Sequence, residues 1–448
     1  LPAAPRSAGE AAAFGLAACA AGVALFGALA PEASVDGSAH HLAHPWTWAA
    51  HHKIHALPHH FLATFPALLE MQYLVMMLLA GAPDPAKLVH FGWGIIVAGA
   101  LHGWARERLE PAWAAAAVAG CLLVPYMVLV MMWAYVDLGA AGYLTLALWL
   151  ASSAAAPPAS LLGALCGFAA GTKVTGVFAP VLVGMFLVIR RARPRAWFQF
   201  AATLGLVVAP WALRNAAWTG NPAAPFLARR IPTFWWGEEN LVRYERELGA
   251  YNHPTGLPSA LEPFARPWNV AVRNDGVLDT SAGLGGWFLW GLPLLLVFRV
   301  PGARAPAAAA LGFFLLWQLI PRQVRYLVPA VPAAALATAL AVRALARAGP
   351  GGRALAWGAG GVLVFHLLAA AQVLRDSADP VRVVLGVETP AAYLARGMPG
   401  KARSLAMRAW LRSAPEHRRV LVLNQYGLNL FWGADALVQS FFDTPLIE

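Results

Sequence analysis

The sequence is poor in charged residues and in cysteine. Only 12% of its 448 residues are Asp, Glu, Lys or Arg, which is too few for an ordinary soluble protein of this length. The three cysteines lie in apolar stretches and form no CxxC pair, so neither a metal site nor a disulfide framework is indicated. The sequence also has no HExxH motif and no internal repeat, and the missing repeat counts against an inverted-repeat transporter. The cysteines are Cys19, Cys121 and Cys166.

Hydrophobic residues, by contrast, make up 59% of the chain, and the mean hydropathy is +0.57. Long apolar runs recur along the whole chain, which is the pattern of transmembrane helices. The sequence therefore predicts an all-α polytopic membrane protein with about eleven transmembrane helices. The predicted spans are residues 11–30, 87–104, 112–130, 138–153, 158–170, 174–189, 196–217, 286–298, 305–320, 323–346 and 354–374.

The chain carries a formal net charge of +11 and has a pI near 10.1. A basic balance can indicate nucleic-acid binding, but the arginines here cluster at the ends of apolar runs, as in the cytoplasmic loops of membrane proteins. If the apolar stretch 61–82 is re-entrant or interfacial, the later Arg clusters all fall on one side and residues 31–60 lie outside. Pro66 and Glu70 within that stretch favour this topology, because a carboxylate in lipid is costly.

The predicted domain organisation follows from this topology. Residues 1–374 form the transmembrane module, with a first periplasmic loop at 31–87 and a large one at 219–284. Residues 375–448 form a small periplasmic α/β domain, which we expect to be incomplete because the sequence stops just after a predicted strand. The elements predicted in this domain are a helix that begins at Thr389-Pro390, an amphipathic helix at 403–411, and strands at 419–423 and 436–442.

Two carboxylates are candidates for chemistry. Asp36 lies in the polar stretch 31–60, which also holds eight of the chain's thirteen histidines. Asp137 follows two aromatic residues, in the sequence MMWAYVDLG. Such a carboxylate often only caps a helix or pairs with a nearby arginine. In the functional interpretation it is a general base that takes the proton from an acceptor hydroxyl or amine.

Several cations are predicted to lie at the same level as Asp36, against the positive-inside rule. Lys173 lies in the sequence GTKVTG, Arg214 ends the APWALRN helix, and Arg322 and Arg325 begin the PRQVRY helix. One alternative is that these side chains reach lipid headgroups by snorkelling. Their shared level with Asp36 favours instead a site for an anionic phosphate, which Arg binds in bidentate fashion and Lys binds as a point charge.

The histidines of the first loop also suggest a metal. His40 and His41 are adjacent, and His51 and His55 have the i, i+4 spacing that a zinc site on a helix uses. The alternative is that interfacial histidines only hydrogen-bond water and headgroups. We therefore predict no certain cofactor, and retain a divalent metal as a possibility with His40 and His41 as weak ligand candidates.

Six stretches of the sequence resemble the bacterial C-type glycosyltransferases, the multi-spanning group that includes protein O-mannosyltransferases and aminoarabinose transferases. The block APWALRNAAWTGNPAAPF at residues 209–226 is the most specific match. The first loop is similar in its Asp-x4-His spacing, Asp36 to His41, although His40 and Val174 stand where relatives usually have tyrosine. The other matching stretches are FPALLE (65–70), AYVD (134–137), GTKVTGVFAP (171–180) and RYLVPAVPA (325–333).

The resemblance implies a polyprenyl-phosphate sugar donor, chemistry on the periplasmic face of the bacterial inner membrane, and no nucleotide-sugar site. It implies Asp36 as base or metal-organising carboxylate, with Asp137 assisting. The alternatives are a non-catalytic scaffold subunit of a larger membrane complex and a transporter or flippase for lipid-linked material; the scarcity of charge within the predicted helices counts against the transporter. The residues implied to bind substrate or phosphate are His41, Glu70, Lys173, Arg214, Asn215, Arg325 and Tyr326.

Overall fold

The protein was analysed as a computed structural model. The structure describes residues 7–58, 60–155, 157–250, 262–272, 283–377, 379–397, 413, 420–422 and 436–438, and these residues are predominantly helical. The α-helices are α1 (Ala8–Leu29), α2 (Ala43–Ala50), α3 (Leu68–Ala80), α4 (Lys87–Arg106), α5 (Pro111–Leu122), α6 (Pro125–Met132), α7 (Asp137–Ser152), α8 (Ala159–Thr172), α9 (Phe178–Ile189), α10 (Pro194–Thr219), α11 (Glu238–Ala250), α12 (Glu262–Val272), α13 (Trp287–Gly291), α14 (Leu294–Val297), α15 (Arg304–Trp317), α16 (Val331–Arg347), α17 (Pro350–Asp376), α18 (Val381–Val384) and α19 (Pro390–Gly397).

Shorter elements connect these helices. The first loop contains a π-helical turn, Gly37–His41, which the sequence did not indicate. Two short strands, β1 (Val420–Val422) and β2 (Ala436–Val438), pair in parallel and lie within the two strands predicted for the C-terminal domain. The predicted helix at 403–411 lies outside the described residues, and the α/β domain as a whole stays a prediction. The 3-10 helices are Phe61–Thr64, Asp84–Ala86, Val174–Val177 and Val324–Ala330, and the strands are Val420–Val422 and Ala436–Val438.

Five of the described helical segments are long and apolar enough to cross a membrane. A sixth is obtained if α5 and α6 form one span, and these two helices meet at an angle of 65°. Pro125 explains the break, because proline cannot donate the next helical hydrogen bond. The predicted count of eleven spans therefore stays a prediction. The five segments are Ala8–Leu29, Asp84–Arg106, Pro194–Thr219, Val324–Arg347 and Pro350–Asp376.

The stretch 61–82 is not one continuous helix. It consists of the 3-10 turn Phe61–Thr64 and the 13-residue helix α3, and Pro66 lies between them. At about 1.5 Å per residue, α3 is about 20 Å long, which is less than the roughly 30 Å of a bilayer core. The helix α3 alone is thus shorter than a bilayer core, and the re-entrant or interfacial topology of the stretch stays a prediction.

The segments differ in how much they are covered by the rest of the chain. In the most apolar window of Val324–Arg347, 83% of residues are buried, whereas in that of Pro194–Thr219 only 6% are. A helix that is apolar on every side and still exposed is suited to face lipid. We infer that α16 lies at the centre of the bundle and that α10 lies at its edge.

Helix α10 packs against α8 through a row of glycines. A Cβ atom on Gly163 would lie 2.2 Å from the carbonyl oxygen of Phe200, and one on Gly167 would lie 2.7 Å from the Val207 side chain. Small residues four positions apart allow two membrane helices to approach this closely. Lys173 follows the last residue of α8 and lies in the wall of the cavity described next.

Candidate active site

Five stretches of the chain that are far apart in sequence enclose a cavity of about 820 Å³. Each of the six stretches that resemble the C-type glycosyltransferases contributes to the cavity wall. The block at 209–226 contributes only its last residue, Phe226. One part of the wall carries ionisable groups, and another is aromatic and aliphatic. The lining stretches are residues 33–48, 61–70, 126–136, 172–178 and 320–326, with Phe226, Tyr244 and Leu248 completing the wall.

Asp36 precedes the π-helical turn and lines the cavity, but its side chain makes no capping hydrogen bond. It forms a salt bridge with Arg325, which lies in the 3-10 segment before α16. Burial acts to raise the pKa of Asp36, but the charge of Arg325 and its hydrogen bond to the carboxylate more than offset this effect, so the pKa lies well below the usual range. Asp36 is therefore a carboxylate anion that is held by a cation.

Arg325 is fixed from several sides. Its Nε donates to Gln323 Oε1 at 2.7 Å. Its guanidinium carbon lies 5.4 Å from the ring centroids of both Tyr135 and Tyr326, within the range of a cation–π contact. These contacts leave the guanidinium little freedom to leave the cavity wall.

A second carboxylate–cation pair lies beside the first. Asp137 occupies the first position of α7 and forms a salt bridge with Lys173, which follows the end of α8. Asp137 is 1% exposed, and among the described residues it is not one that lines the cavity. Lys173 does line it, and its Nζ lies 4.6 Å from the ring centroid of Tyr326. Tyr326 thus lies against both cations.

His41 and Glu70 form a third pair at the cavity wall. His41 Nδ1 lies 2.7 Å from Glu70 Oε1, and both side chains are only 9% exposed. Burial lowers the pKa of His41 to about 4, although the charge of Asp36 acts in the opposite direction. The sequence predicted both residues as substrate or phosphate ligands, and the structure places both at the cavity.

The histidines of the first loop are more buried than the sequence analysis expected for interfacial groups. His40, His41, His44 and His60 are all less than 10% exposed. His44 Nε2 lies 3.0 Å from His60 Nδ1, so one imidazole donates to the other. Burial lowers the pKa of His60 to about 3 and places the pKa of His44 well below its usual value. These rings are neutral parts of the core around the cavity.

Arg214 and Asn215 do not lie among the described residues that line the cavity. Arg214 Nη2 donates to the Phe65 carbonyl at 2.7 Å, and Asn215 Nδ2 donates to the Thr64 carbonyl at 2.7 Å and the Ala224 carbonyl at 3.2 Å. Both side chains therefore hold the backbone of the cavity wall. A contact of Arg214 and Asn215 with phosphate stays a prediction.

Sequence reasoning overlooked two buried residues that position the carboxylates. Glu32 is 0% exposed, and its Oε2 accepts a hydrogen bond from Ala134 N at 2.9 Å, which ties the first loop to the segment before Asp137. His90 Nε2 accepts from Leu138 N at 3.0 Å, while its Nδ1 donates to the Trp133 carbonyl at 2.8 Å. Polar residues beside or within apolar runs were the available signal.

The side chains around the cavity include the weak candidates for divalent-metal ligands. Among the residues that the structure describes, no group of three or more His, Cys, Asp or Glu side chains is arranged to hold a metal ion. Asp36 and Asp137 each face a cation. The rings of His40 and His41, the weak ligand candidates, contact each other at a tilt of 45°, with centroids 4.0 Å apart. The possible divalent metal therefore stays a prediction, and we derive no step through it.

The fold defined by these helices is that of the C-type glycosyltransferases, as the resemblance predicted. Two solved structures show this likeness over nearly the whole chain. The first is ArnT from Cupriavidus metallidurans bound to undecaprenyl phosphate, with a TM-score of 0.60, 13% sequence identity, and coverage of 95% of this chain and 85% of that one. The second is the oligosaccharyltransferase AglB from Archaeoglobus fulgidus in complex with an inhibitory peptide and a dolichol-phosphate, with a TM-score of 0.52 and 12% identity.

The archaeal match covers 96% of this chain but only 65% of AglB, so this chain spans less than two thirds of that protein. No protein-family model matches the sequence, and no curated protein sequence matches it significantly. At identities this low the two structures establish a shared fold. The activity of this chain has to be argued from its own cavity.

Proposed function

We propose that this protein is an integral membrane glycosyltransferase that moves a sugar from a polyprenyl-phosphate carrier to an acceptor. The observation that carries the proposal is the arrangement of Arg325 and Lys173. Both cations line one cavity, both lie against the ring of Tyr326, and each is paired with a carboxylate. The shared fold with a protein bound to undecaprenyl phosphate supports the same proposal.

In this proposal the phosphate of the carrier binds at Arg325 and Lys173. Transfer forms a bond between the acceptor atom and the anomeric carbon of the sugar, and it breaks the bond from that carbon to the phosphate oxygen. Negative charge grows on the departing phosphate, and cations that are already in place stabilise it. Arg214 is proposed to assist from behind the wall, where it holds the Phe65 carbonyl.

Asp36 is proposed as the general base, but only after the donor has bound. While Arg325 holds Asp36, the carboxylate is a weak proton acceptor. A phosphate that competes for Arg325 would weaken this pair and raise the basicity of Asp36. Donor binding would therefore prepare the group that activates the acceptor. Asp137 would keep Lys173 in place rather than touch the substrate.

The apolar part of the cavity wall gives room for the other substrate groups. Phe65 and Phe226 stack with ring centroids 5.9 Å apart, and Phe61 lies 4.9 Å from Trp236. Aromatic faces of this kind pack against the apolar faces of sugars and against isoprenoid chains. We further propose the inner membrane of a bacterium as location, with the cavity on the periplasmic face, and other membrane subunits as possible partners.

The test is turnover by the purified protein with a panel of polyprenyl-phosphate sugars. Asp36→Asn is expected to abolish turnover and to retain binding of the carrier. Asp376→Asn serves as the matched control, since Asp376 is an exposed carboxylate at the end of α17. Turnover of Asp36→Asn at the wild-type rate would contradict the proposed base.

A scaffold subunit is the second candidate, and it is favoured by the two salt bridges, because paired carboxylates also occur in purely structural networks. In that case no donor on the panel is turned over, other membrane subunits co-purify, and Asp36→Asn does not change the amount of complex recovered. A scaffold does not require a cavity of about 820 Å³ beside the two pairs, which is why we prefer the enzyme.

A further inference from the structure

A second group of cations lies behind the cavity wall and takes no part in the proposed reaction. Pro321 and Gln323 line the cavity, whereas Arg322, between them, does not. A backbone hydrogen bond from Gln323 N to the Pro321 carbonyl at 3.0 Å turns the chain tightly at Arg322. Arg322 instead reaches α12, where its Nη1 donates to Glu262 Oε1 at 3.3 Å.

Arg266, one turn along α12, shares the same carboxylate. Its Nη2 lies 3.4 Å from Glu262 Oε2, and its side chain is 9% exposed. Among the described residues, two arginines therefore share one glutamate, which leaves a local charge of +1. The Arg322 side chain is 19% exposed, but a largely buried cation without a counter-ion is costly, so this group favours a further anion.

The same side chains also lack hydrogen-bond acceptors. Arg266 Nε, Arg322 Nε and Asn269 Nδ2 are buried and have no acceptor among the described residues. Asn269 is 6% exposed and lies on the same face of α12 as Glu262 and Arg266. Buried donors are almost always satisfied in folded proteins. An anion with several acceptor oxygens, such as a phosphate group, would satisfy them together.

The opposite face of α12 indicates where this anion comes from. Phe264, Trp268 and Val272 are spaced four residues apart and are 82%, 60% and 48% exposed. An aromatic and aliphatic stripe on an amphipathic helix is suited to the boundary between lipid headgroups and acyl chains. A helix placed there presents its polar face at the depth of the headgroup phosphates.

We propose that Arg266, Arg322 and Asn269 form a binding site for the phosphate group of a membrane phospholipid, separate from the donor cavity. The site goes beyond the proposed function and does not depend on it. The bound phospholipid would hold α12 against the segment that leads to Arg325, since only Gln323 and Val324 separate Arg322 from Arg325.

The experiment is titration of the purified full-length chain in detergent with phosphatidylglycerol, with bound lipid counted by native mass spectrometry. We expect Arg266→Gln and Arg322→Gln each to weaken the binding of one lipid about tenfold, the loss of one charge-assisted contact. Asn269→Asp is expected to weaken it similarly, because a second carboxylate neutralises the arginines. Arg229→Gln is the matched control, because Arg229 is exposed and pairs with Glu238 and Glu245 in the same loop.

Glu262→Gln separates this proposal from a purely structural role. It removes the only described carboxylate that competes for the two arginines, so the affinity for the lipid is expected to rise. If it falls as in Arg266→Gln, or if all four variants bind lipid as the wild type does, the site is overturned. Inorganic phosphate that displaces the lipid at equal concentration would overturn the assignment to a lipid. Asp36→Asn, which tests the proposed function, is expected to leave this binding unchanged.

Discussion

Arg325 and Asp36 form a salt bridge across 289 positions of sequence. The pair joins the first loop to the segment that begins the most buried of the five candidate membrane spans. It also sets the charge state of the site, because Asp36 keeps its charge and Arg325 is neutralised until another anion competes. Several consequences of this pairing and of its neighbours can be measured.

Replacing Arg325 with Gln is expected to raise the KM for the lipid donor at least tenfold, because a phosphate ligand is lost. Arg325→Lys is expected to recover part of this loss, since it keeps the charge without the bidentate geometry. Steady-state kinetics at varied donor concentration measure the KM of each variant. Arg353→Gln is the control, because Arg353 is exposed and lies on α17. An unchanged KM in Arg325→Gln would contradict a phosphate contact.

The buried pair of Asp137 and Lys173 predicts non-additive stability. Either Asp137→Asn or Lys173→Gln leaves one uncompensated charge, which typically costs roughly 3–5 kcal/mol. The double variant removes both charges and is expected to be more stable than at least one of the single variants. Thermal unfolding in detergent measures the three effects. Strictly additive losses would show that the two side chains do not interact.

The buried histidines predict a loss of stability in acid. Their pKa values are lowered by burial, to about 4 for His41 and about 3 for His60, so the folded chain resists protonation that the unfolded chain accepts near pH 6.5. The contribution of these histidines to stability is therefore fully present above about pH 6.5 and falls as the pH drops from there toward 4. Glu70 acts in the opposite direction, because burial raises its pKa to about 8.

Melting temperatures between pH 8 and pH 5 measure this effect. A variant with both His44→Gln and His60→Gln is expected to show a shallower decline, because two of the buried imidazoles are gone. His51→Gln is the control, since His51 is exposed. The same pH dependence of the melting temperature in the wild type and in the His44→Gln/His60→Gln variant would refute the argument.

The glycine row between α8 and α10 predicts a steric effect. A Cβ atom on Gly163 would lie 2.2 Å from the Phe200 carbonyl oxygen, so Gly163→Ala forces the helices apart and is expected to cost about 1–3 kcal/mol. Gly205→Ala on α10 is the matched control, because a Cβ atom there meets nothing within 4 Å. Thermal unfolding of both variants measures the effect. Equal stability of Gly163→Ala and Gly205→Ala would argue against close packing of α8 and α10.

The helices could largely be predicted because their signal is local. The predicted span 354–374 lies inside α17, and the predicted span 11–30 differs from α1 by three residues at one end and one at the other. The predicted span 112–130 is instead broken into α5 and α6, and Pro125 was the signal for the break. Apolar run length defines a span well but does not reveal a bend.

The candidate site was predictable in part. Asp36, Lys173, Arg325 and Tyr326 do meet at one cavity. Which cation pairs with which carboxylate was not predictable, because the partners are distant in sequence and lie on different elements. The role of Glu32 was missed for the same reason: the residue that it holds, Ala134, is 102 positions away.

The length of α10 has a consequence for the surrounding lipid. With 26 residues it is about 39 Å long, longer than the roughly 30 Å of a bilayer core. In a thinner bilayer such a helix has to tilt further, and its end carries Arg214 and Asn215, which hold the backbone at Phe65 and Thr64. Membrane thickness would thus act on the shape of the cavity, and the acyl-chain length of the host lipid would become a variable of turnover.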